Sequence, residues 1–195
     1  MLKSNPYPDN ITDQELVALT LQEKENYEHL MQRYEAKLLR YIIRLARVGE
    51  EDAKDILQEV FIKAYKNLNE YNAGFSFSSW IYRIAHNEAV SYLRKLSARP
   101  KVIKTEDNDI LLNMLAKEPD FEIEIDKKYL SEEIGKILNR LDNKYREVII
   151  LKFLEERNYK EISDIIKKPA GTVATLISRA KKRLRDEIIR GHYSF

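Results

Sequence analysis

Apolar residues recur at helical spacing over most of the chain, and no stretch of useful length alternates as a β-strand would. The pattern therefore predicts an all-α protein. Thr12 and Glu15 form a capping-box signature, which predicts that a helical region begins there and continues to Leu45, before Gly49 interrupts it. The clearest helix is predicted over residues 52–68. Its apolar residues form one stripe, which comprises Ala53, Ile56, Leu57, Val60, Phe61, Ala64, Tyr65 and Leu68.

A second clear helix is predicted over residues 80–96, and it ends before Arg99 and Pro100. Its predicted buried side comprises Ile81, Ala85, Ala89, Tyr92, Leu93 and Leu96. Its predicted outer side comprises Arg83, His86, Asn87, Val90 and Arg94. At the start of this helix, Trp80 is expected in the core, and Phe77 is open to either a core or a loop role.

Residues 159–185 have the pattern of a helix-turn-helix. Asn158 and Glu161 form a second capping-box signature, a tight turn is predicted at 167–171, and another helix follows from Thr172. The inward positions of that helix are Val173, Leu176, Ile177, Ala180 and Leu184, packing on Ile162, Ile165 and Ile166. Its outward positions are Thr172, Thr175, Arg179, Lys182 and Arg183. This outward row suits the major groove of DNA, whereas a solvated basic helix end is the simpler alternative.

These breaks in the pattern divide the chain into two small helical domains joined by an acidic linker. We predict a flexible N-terminus at 1–11, a first domain at 12–98, the linker at 99–128, a second domain at 129–190 and a tail at 191–195. If the linker were fully extended, it would reach about 90 Å.

The formal net charge of +2 hides strong segregation along the chain. Residues 80–104 carry a net charge of +5, residues 105–126 carry −7, and residues 129–190 carry +5. Two basic blocks therefore flank an acidic segment, which indicates contact with a polyanion at two places.

Few residues suggest catalysis. The chain has no Cys, which excludes disulfides and thiolate metal sites, and its three His (His29, His86 and His192) share no metal-binding spacing. Nucleophile-elbow and phosphate-binding glycine motifs are absent from the sequence. We expect no catalytic residues, no metal and no cofactor, and we expect His86 to be a surface side chain.

Hydropathy indicates where the protein works. No apolar run approaches the roughly 20 residues that a membrane span needs. The first ten residues also lack the apolar segment of a secretion signal. We therefore expect a cytoplasmic protein without membrane insertion.

Two groups of residues upstream of the helix-turn-helix are candidates for binding. Ile62 forms an outward row with Asp55 and Glu59, and this row is equally compatible with an ordinary solvated surface and a partner-binding face. Around the loop at 70–79, exposed aromatic, amide and basic residues are of the types that hold unpaired bases: Tyr71, Asn72, Phe75, Arg83, Asn87 and Arg94.

Three segments, in order, resemble the extracytoplasmic-function (ECF) sigma factors of bacterial RNA polymerase. They are EDAKDILQEVFIKAYKNL, FSFSSWIYRIAHNEAVSYLRK and LDNKYREVIILKFLEERNYKEISDIIKKPAGTVATLISRAKKRLR. The resemblance spans roughly residues 13–96 and 130–187. It implies a sigma region 2 helical bundle, a sigma region 4 helix-turn-helix, and a non-enzymatic protein that binds core polymerase and directs promoter-specific initiation.

The resemblance also implies a role for each candidate group. Core polymerase would be bound at its β′ clamp by one helix, through Asp52, Asp55, Gln58, Glu59 and Ile62. The minus-ten element would be recognised and melted by Tyr71, Asn72, Phe75, Arg83, Asn87 and Arg94. The minus-thirty-five element would be read by Thr172, Thr175, Arg179, Lys182 and Arg183, in a domain that also touches the β flap. The acidic linker would run near the active-site cleft and RNA exit path, and an anti-sigma factor is a further partner.

The turn and the second helix depart from the family pattern at three positions. A Gly commonly stands where this chain has Lys167, an apolar residue where it has Lys168, and a basic residue where it has Ala174. A non-Gly residue in the left-handed conformation costs up to about 1 kcal/mol. Ala174 removes one expected phosphate contact, so no promoter sequence is carried over from the family.

Two other functions remain open at the level of the sequence. The first is a stand-alone helix-turn-helix regulator, which would bind a DNA site tightly without polymerase. The second is an interaction protein that binds core polymerase but never starts a transcript.

Overall fold

The computed structural model describes residues 11–96, 108–115 and 127–192, and every regular element in these ranges is helical. The predicted all-α class is confirmed. Most of the predicted N-terminal segment, linker and tail lie outside the described residues. The α-helices are α1 (Asp13–Gln22), α2 (Tyr27–Ala46), α3 (Glu50–Lys66), α4 (Phe77–Leu96), α5 (Asn108–Leu115), α6 (Lys127–Arg140), α7 (Asn143–Ile149), α8 (Tyr159–Ile166) and α9 (Ala170–His192).

The chain divides into two compact units, one containing α1 to α4 and the other α5 to α9. Within the described part of the chain, none of the helices has the length and apolar content that a transmembrane span requires. The domain boundaries drawn from the sequence stay predictions, although α6 begins at Lys127, close to the predicted start of the second domain.

In the first unit, α2, α3 and α4 pack against one another, and α1 lies mainly against α2. The predicted capping box at the start of α1 is confirmed, because Glu15 N–H donates to Thr12 Oγ1 at 3.2 Å and Thr12 N–H donates to Glu15 Oε2 at 2.7 Å. The centre of the unit is apolar and comprises Leu38, Tyr41, Ile42, Ala53, Val60, Ala64, Ile81, Ala85 and Ala89.

The prediction that His86 is a surface side chain is wrong, since this residue is only 9% exposed. Helix α4 contacts both α2 and α3, so its buried sector is wider than one stripe. A second row, with Tyr82 and His86 one turn apart, is therefore buried beside Ile81 and Ala85.

The ends of the two predicted amphipathic helices are less buried than their periodicity suggested. Tyr65 is 39% exposed, although its ring packs on that of Tyr27 at the start of α2, with 5.0 Å between ring centroids. Tyr92 and Leu93, near the end of α4, are half-buried. Trp80 and Phe77 are both buried, and α4 begins at Phe77, three residues before the predicted start.

In the second unit, α7 and α8 pack on α9, and α5 packs on α6. Leu111 and Leu115 of α5 are buried, so part of the predicted linker belongs to this core. A helix rises about 1.5 Å per residue, against about 3.3 Å for an extended chain. The linker therefore cannot have its fully extended length while α5 is folded.

Helix α7 continues into a π-helical segment, Ile150–Leu154, in which Glu155 N–H donates to the carbonyl of Ile150 at 3.0 Å. Ile150, Leu151 and Phe153 of this segment are buried. The segment leads to the start of α8, where the predicted capping box of Asn158 and Glu161 is confirmed.

The turn between α8 and α9 is shorter than predicted. Lys167 ends α8 in the left-handed conformation, with φ 55° and ψ 47°, at the position where the family commonly has Gly. Helix α9 begins at Ala170, two residues before the predicted Thr172, because Pro169 accepts its first hydrogen bond, from Val173 N–H at 3.0 Å. Ser163 Oγ donates to the carbonyl of Lys168 at 2.5 Å and ties the turn to α8.

Candidate nucleic-acid interface

The outer face of α3 carries the predicted partner-binding residues. Asp55, Gln58, Glu59 and Ile62 are exposed, and Ile62 is 46% exposed. Asp52, one turn earlier, is half-buried and interacts with Tyr92 of α4. Partial burial, and then the hydrogen bond to Asp52, raise the pKa of Tyr92. The row therefore combines negative charge with one aliphatic side chain on a rigid helix.

A shallow cleft of about 220 Å³ runs beside this row, between α3 and α4. Asp55 and Glu59 form one wall, while Tyr92 and Lys95 contribute to the other. The two helices are also joined by an ion pair between Lys63 and Glu88, at 2.7 Å. Periodicity along α3 does not reveal this second wall, because neither Tyr92 nor Glu88 lies on the helix that carries the row.

The loop between α3 and α4 holds three predicted site residues. Asn72 and Phe75 are exposed, and the side chain of Phe75 projects with 53% of the residue accessible. Tyr71 differs from them, since it is half-buried and its ring lies 5.4 Å from that of Phe77 and 5.5 Å from that of Trp80. The loop therefore presents one aromatic ring to solvent and keeps another packed on the core.

Arg83, Asn87 and Arg94 lie on one side of α4, because their spacings of four and seven residues return to the same helical face. Asn87 and Arg94 are exposed, and Arg83 is half-buried. An amide and two guanidinium groups on one face provide hydrogen-bond donors for phosphates or base edges.

Helix α9 carries the remaining predicted residues on its exposed side. All five (Thr172, Thr175, Arg179, Lys182 and Arg183) are exposed. The opposite side is buried through Val173, Ile177, Ala180 and Leu184, while Leu176 is half-buried. Thr175 Oγ1 donates to the carbonyl of Gly171 at 2.9 Å, and its oxygen can still accept a further hydrogen bond.

Arg183 also has a partner that the sequence did not predict. Its guanidinium lies over the ring of Tyr145 of α7, 5.0 Å from the centroid, in a cation–π arrangement. A groove of about 580 Å³ runs along this junction and includes Arg179, Lys182 and Asp186. No local signal marks Tyr145, since it lies 38 positions upstream of Arg183 and meets it only through helix packing.

The same two regions match known family profiles. Residues 30–99 match Sigma-70 region 2, and residues 131–184 match Sigma-70, region 4. The matched ranges include α3, α4 and the intervening loop in one unit, and α7, α8 and most of α9 in the other.

Curated relatives extend this similarity over nearly the whole chain. The ECF RNA polymerase sigma-E factor of Haemophilus influenzae is 30% identical over 191 residues, covering 92% of this chain and 97% of the relative. The ECF RNA polymerase sigma factor SigW of Bacillus subtilis is 35% identical over 141 residues, covering 70% of this chain and 75% of the relative.

A solved structure has a similar fold at low identity. The sigma factor RpoE from Bartonella quintana, in its complex with the anti-sigma factor NepR, is 20% identical. It aligns over 83% of this chain and 96% of its own chain with a TM-score of 0.62.

Proposed function

Because the chain belongs to the ECF sigma factors, which bind core RNA polymerase and direct promoter-specific initiation, we propose how its described surfaces divide that work. One observation carries the proposal. The exposed rows on α3, on the loop with α4, and on α9 lie within the two regions that match sigma regions 2 and 4. The chain acts through binding and has no catalytic step of its own.

The proposed polymerase-binding surface is the outer row of α3, directed at the β′ clamp. Asp55 and Glu59 lie one turn apart and exposed, and Ile62 adds an exposed aliphatic side chain in line with them. An exposed apolar residue framed by like charges suits a partner with a complementary basic and apolar surface. Asp52 and Gln58 complete this surface, and a further contact from region 4 reaches the β flap.

The proposed minus-ten surface combines Phe75 with the polar face of α4. An exposed aromatic ring is a stacking platform for an unpaired base. Arg83 and Arg94 provide positive charge for the phosphates of the melted strand, while Asn72 and Asn87 provide amides for base edges.

The proposed minus-thirty-five surface is the exposed row of α9. The major groove is about 12 Å wide and admits one helix. Arg179 lies in the middle of the row and is suited to a guanine edge, whereas Thr172, near the helix start, is suited to a phosphate. Thr175, Lys182 and Arg183 extend the contact along the groove.

An anti-sigma factor is a further proposed partner. The solved sigma factor RpoE, whose fold is similar, is bound to the anti-sigma factor NepR. Such a partner would compete with core polymerase for exposed surface on the sigma factor. We assign the protein to the cytoplasm, since its target is core RNA polymerase.

The decisive experiment is run-off transcription with purified chain, bacterial core RNA polymerase and genomic fragments. We expect discrete transcripts only when both proteins are present, and weak promoter binding by the chain alone. Tight, site-specific binding without core would favour a stand-alone regulator. Binding to core with no transcript from any fragment would instead favour an interaction protein.

The polymerase-binding surface has its own test. Asp55→Ala combined with Glu59→Ala is expected to weaken core affinity at least tenfold, a loss of about 1.4 kcal/mol. The matched control, Glu25→Ala combined with Glu35→Ala, removes two exposed acids of the same unit that lie off α3. Equal core affinity in both double variants would refute the proposed surface.

A further inference from the structure

Tyr71 is a half-buried loop residue whose ring packs on the core. Its ring packs at nearly 90° against Phe77, with centroids 5.4 Å apart, and lies 5.5 Å from Trp80. Its hydroxyl donates to the carbonyl of Phe75 at 2.6 Å. The ring is therefore held by two buried aromatic residues, and the hydroxyl is committed to the backbone four residues later.

The loop between these two residues is closed by its own hydrogen bonds. Gly74 N–H donates to Asn72 Oδ1 at 2.8 Å, and Phe75 N–H donates to the carbonyl of Asn72 at 3.0 Å. A Cβ at Gly74 would lie only 3.1 Å from Asn72 Oδ1, so glycine permits this close approach. Both the N–H and the carbonyl of Phe75 are thus fixed, while its ring is 53% exposed.

We propose that Tyr71 is a positioning residue for Phe75, and that it makes no direct contact with DNA. This inference rests on the proposed role of the loop at the minus-ten element. The Tyr71 hydroxyl fixes the Phe75 carbonyl, and this orients the only strongly exposed ring of the described loop toward an unpaired base. A ring that is already oriented loses less conformational entropy when a base stacks on it.

The surroundings of Tyr71 fit a positioning role better than a direct contact with DNA. A residue that stacks on bases needs an open ring face, whereas the Tyr71 ring is already engaged by Phe77 and Trp80. Partial burial, and then the negative charge of Asp13, raise the pKa of the Tyr71 hydroxyl, which further disfavours its ionised form.

The test is a double-mutant cycle in the complete holoenzyme. Tyr71→Phe removes only the hydroxyl, Phe75→Ala removes only the exposed ring, and the double variant removes both. The readout is the rate of promoter opening, followed by 2-aminopurine in the minus-ten strand of a fragment selected by run-off transcription. Tyr27→Phe is the matched control, because Tyr27 likewise donates its hydroxyl to a backbone carbonyl, that of Phe61, at 2.7 Å.

We expect Phe75→Ala to slow opening by roughly tenfold or more, the scale of one lost base stack. Tyr71→Phe should slow it by roughly fivefold, the scale of one hydrogen bond. Added to Phe75→Ala, Tyr71→Phe should have no further effect, since no ring remains to be oriented. Tyr27→Phe should leave the opening rate unchanged. Independent, multiplicative losses at Tyr71 and Phe75, or no loss for Tyr71→Phe, would overturn the proposal.

A second measurement separates this inference from the proposed function. In the free protein, Tyr71→Phe should accelerate hydrogen exchange at the amides of Gly74 and Phe75 by roughly fivefold, while Tyr27→Phe should not. Failure of wild-type holoenzyme to open any promoter would reject the proposed function even if exchange changed as expected. Unchanged exchange alongside normal wild-type opening would reject the positioning role alone.

Discussion

The loop before α4 and the exposed row of α9 are both proposed to meet promoter DNA, but different forces hold them. The α9 row is the outer side of a helix whose inner side is buried through Val173, Ile177 and Leu184. The loop has no such buried stripe, and individual bonds from Tyr71 and Asn72 fix it instead.

Because of this difference, substitutions should affect the two surfaces in different ways. Apolar burial is distributed over several side chains, so changes on the exposed side of α9 should affect DNA contacts without disturbing the helix. In the loop, the residues that carry function and those that maintain its shape are neighbours. A single lost hydroxyl or amide there is expected to change both shape and binding.

The largest expected effect tests the apolar support of α9. Ile177→Ala should lower the free energy of unfolding of the second unit by about 2–5 kcal/mol, because it leaves a cavity at a residue that is only 1% exposed. Urea unfolding, with hydrogen exchange followed at α8 and α9, measures this loss. Leu176→Ala, at a half-buried neighbour, should cost clearly less. Equal costs at the two positions would contradict the described orientation of α9.

The next effect concerns the exposed side of the same helix. Arg179→Ala should cost about 1–3 kcal/mol of holoenzyme affinity, concentrated at one base pair of the minus-thirty-five element. Competition binding with single-base-pair variants measures it. Arg185→Ala removes an exposed guanidinium that lies off the row. It should change the affinity for all DNA sequences by the same factor. A uniform loss for Arg179→Ala as well would make Arg179 a phosphate contact.

A smaller effect is expected at one of the two side-chain hydrogen bonds that hold the loop. Asn72→Ala removes the acceptor for Gly74 N–H and should lower the free energy of unfolding of the first unit by about 0.5–1.5 kcal/mol. Thermal or urea unfolding measures the change. Asn69→Ala, at an exposed amide in the preceding 3-10 turn, is the control and should be nearly neutral. Equal stability of Asn72→Ala and wild type would show that the bond does not hold the loop.

The smallest effect lies in the turn that precedes α9. Lys167→Gly should stabilise the second unit by up to about 1 kcal/mol, because Lys167 has φ 55° and glycine adopts this conformation without strain. Lys168→Gly should not stabilise it, since Lys168 does not have positive φ. Chemical denaturation of both variants measures the difference. Destabilisation by Lys167→Gly would mean that the lysine side chain contributes more to the free energy of unfolding than its left-handed backbone conformation costs.

Local signals predicted the elements well. Both capping boxes formed as expected, because each needs only residues three apart in sequence. The inward residues of α9 also followed from periodicity, as Val173, Ile177 and Leu184 are buried. The buried residues of α9 form one stripe although both α7 and α8 pack on this helix, and helical periodicity reveals such a stripe.

Predictions failed where the deciding contact lies outside the apolar pattern of a single helix. His86 is buried because α4 lies against both α2 and α3, and periodicity along α4 alone cannot reveal a second covering helix. The start of α9 was placed two residues late, since the carbonyl of Pro169 begins the helix before the apolar pattern does. Leu111 and Leu115 of α5 are buried, although the acidic segment around their short apolar run was predicted to be a linker.

The sequence by itself determined the helical class, the three ordered family motifs and the exposed row of α9, because these depend on spacing within one element. The tertiary structure decided which candidate residues are free to act. It packed the half-buried ring of Tyr71 on Phe77 and Trp80, left that of Phe75 exposed, and set Arg183 over Tyr145. Such pairings join residues from different elements or opposite ends of a loop, and only packing brings them within contact distance.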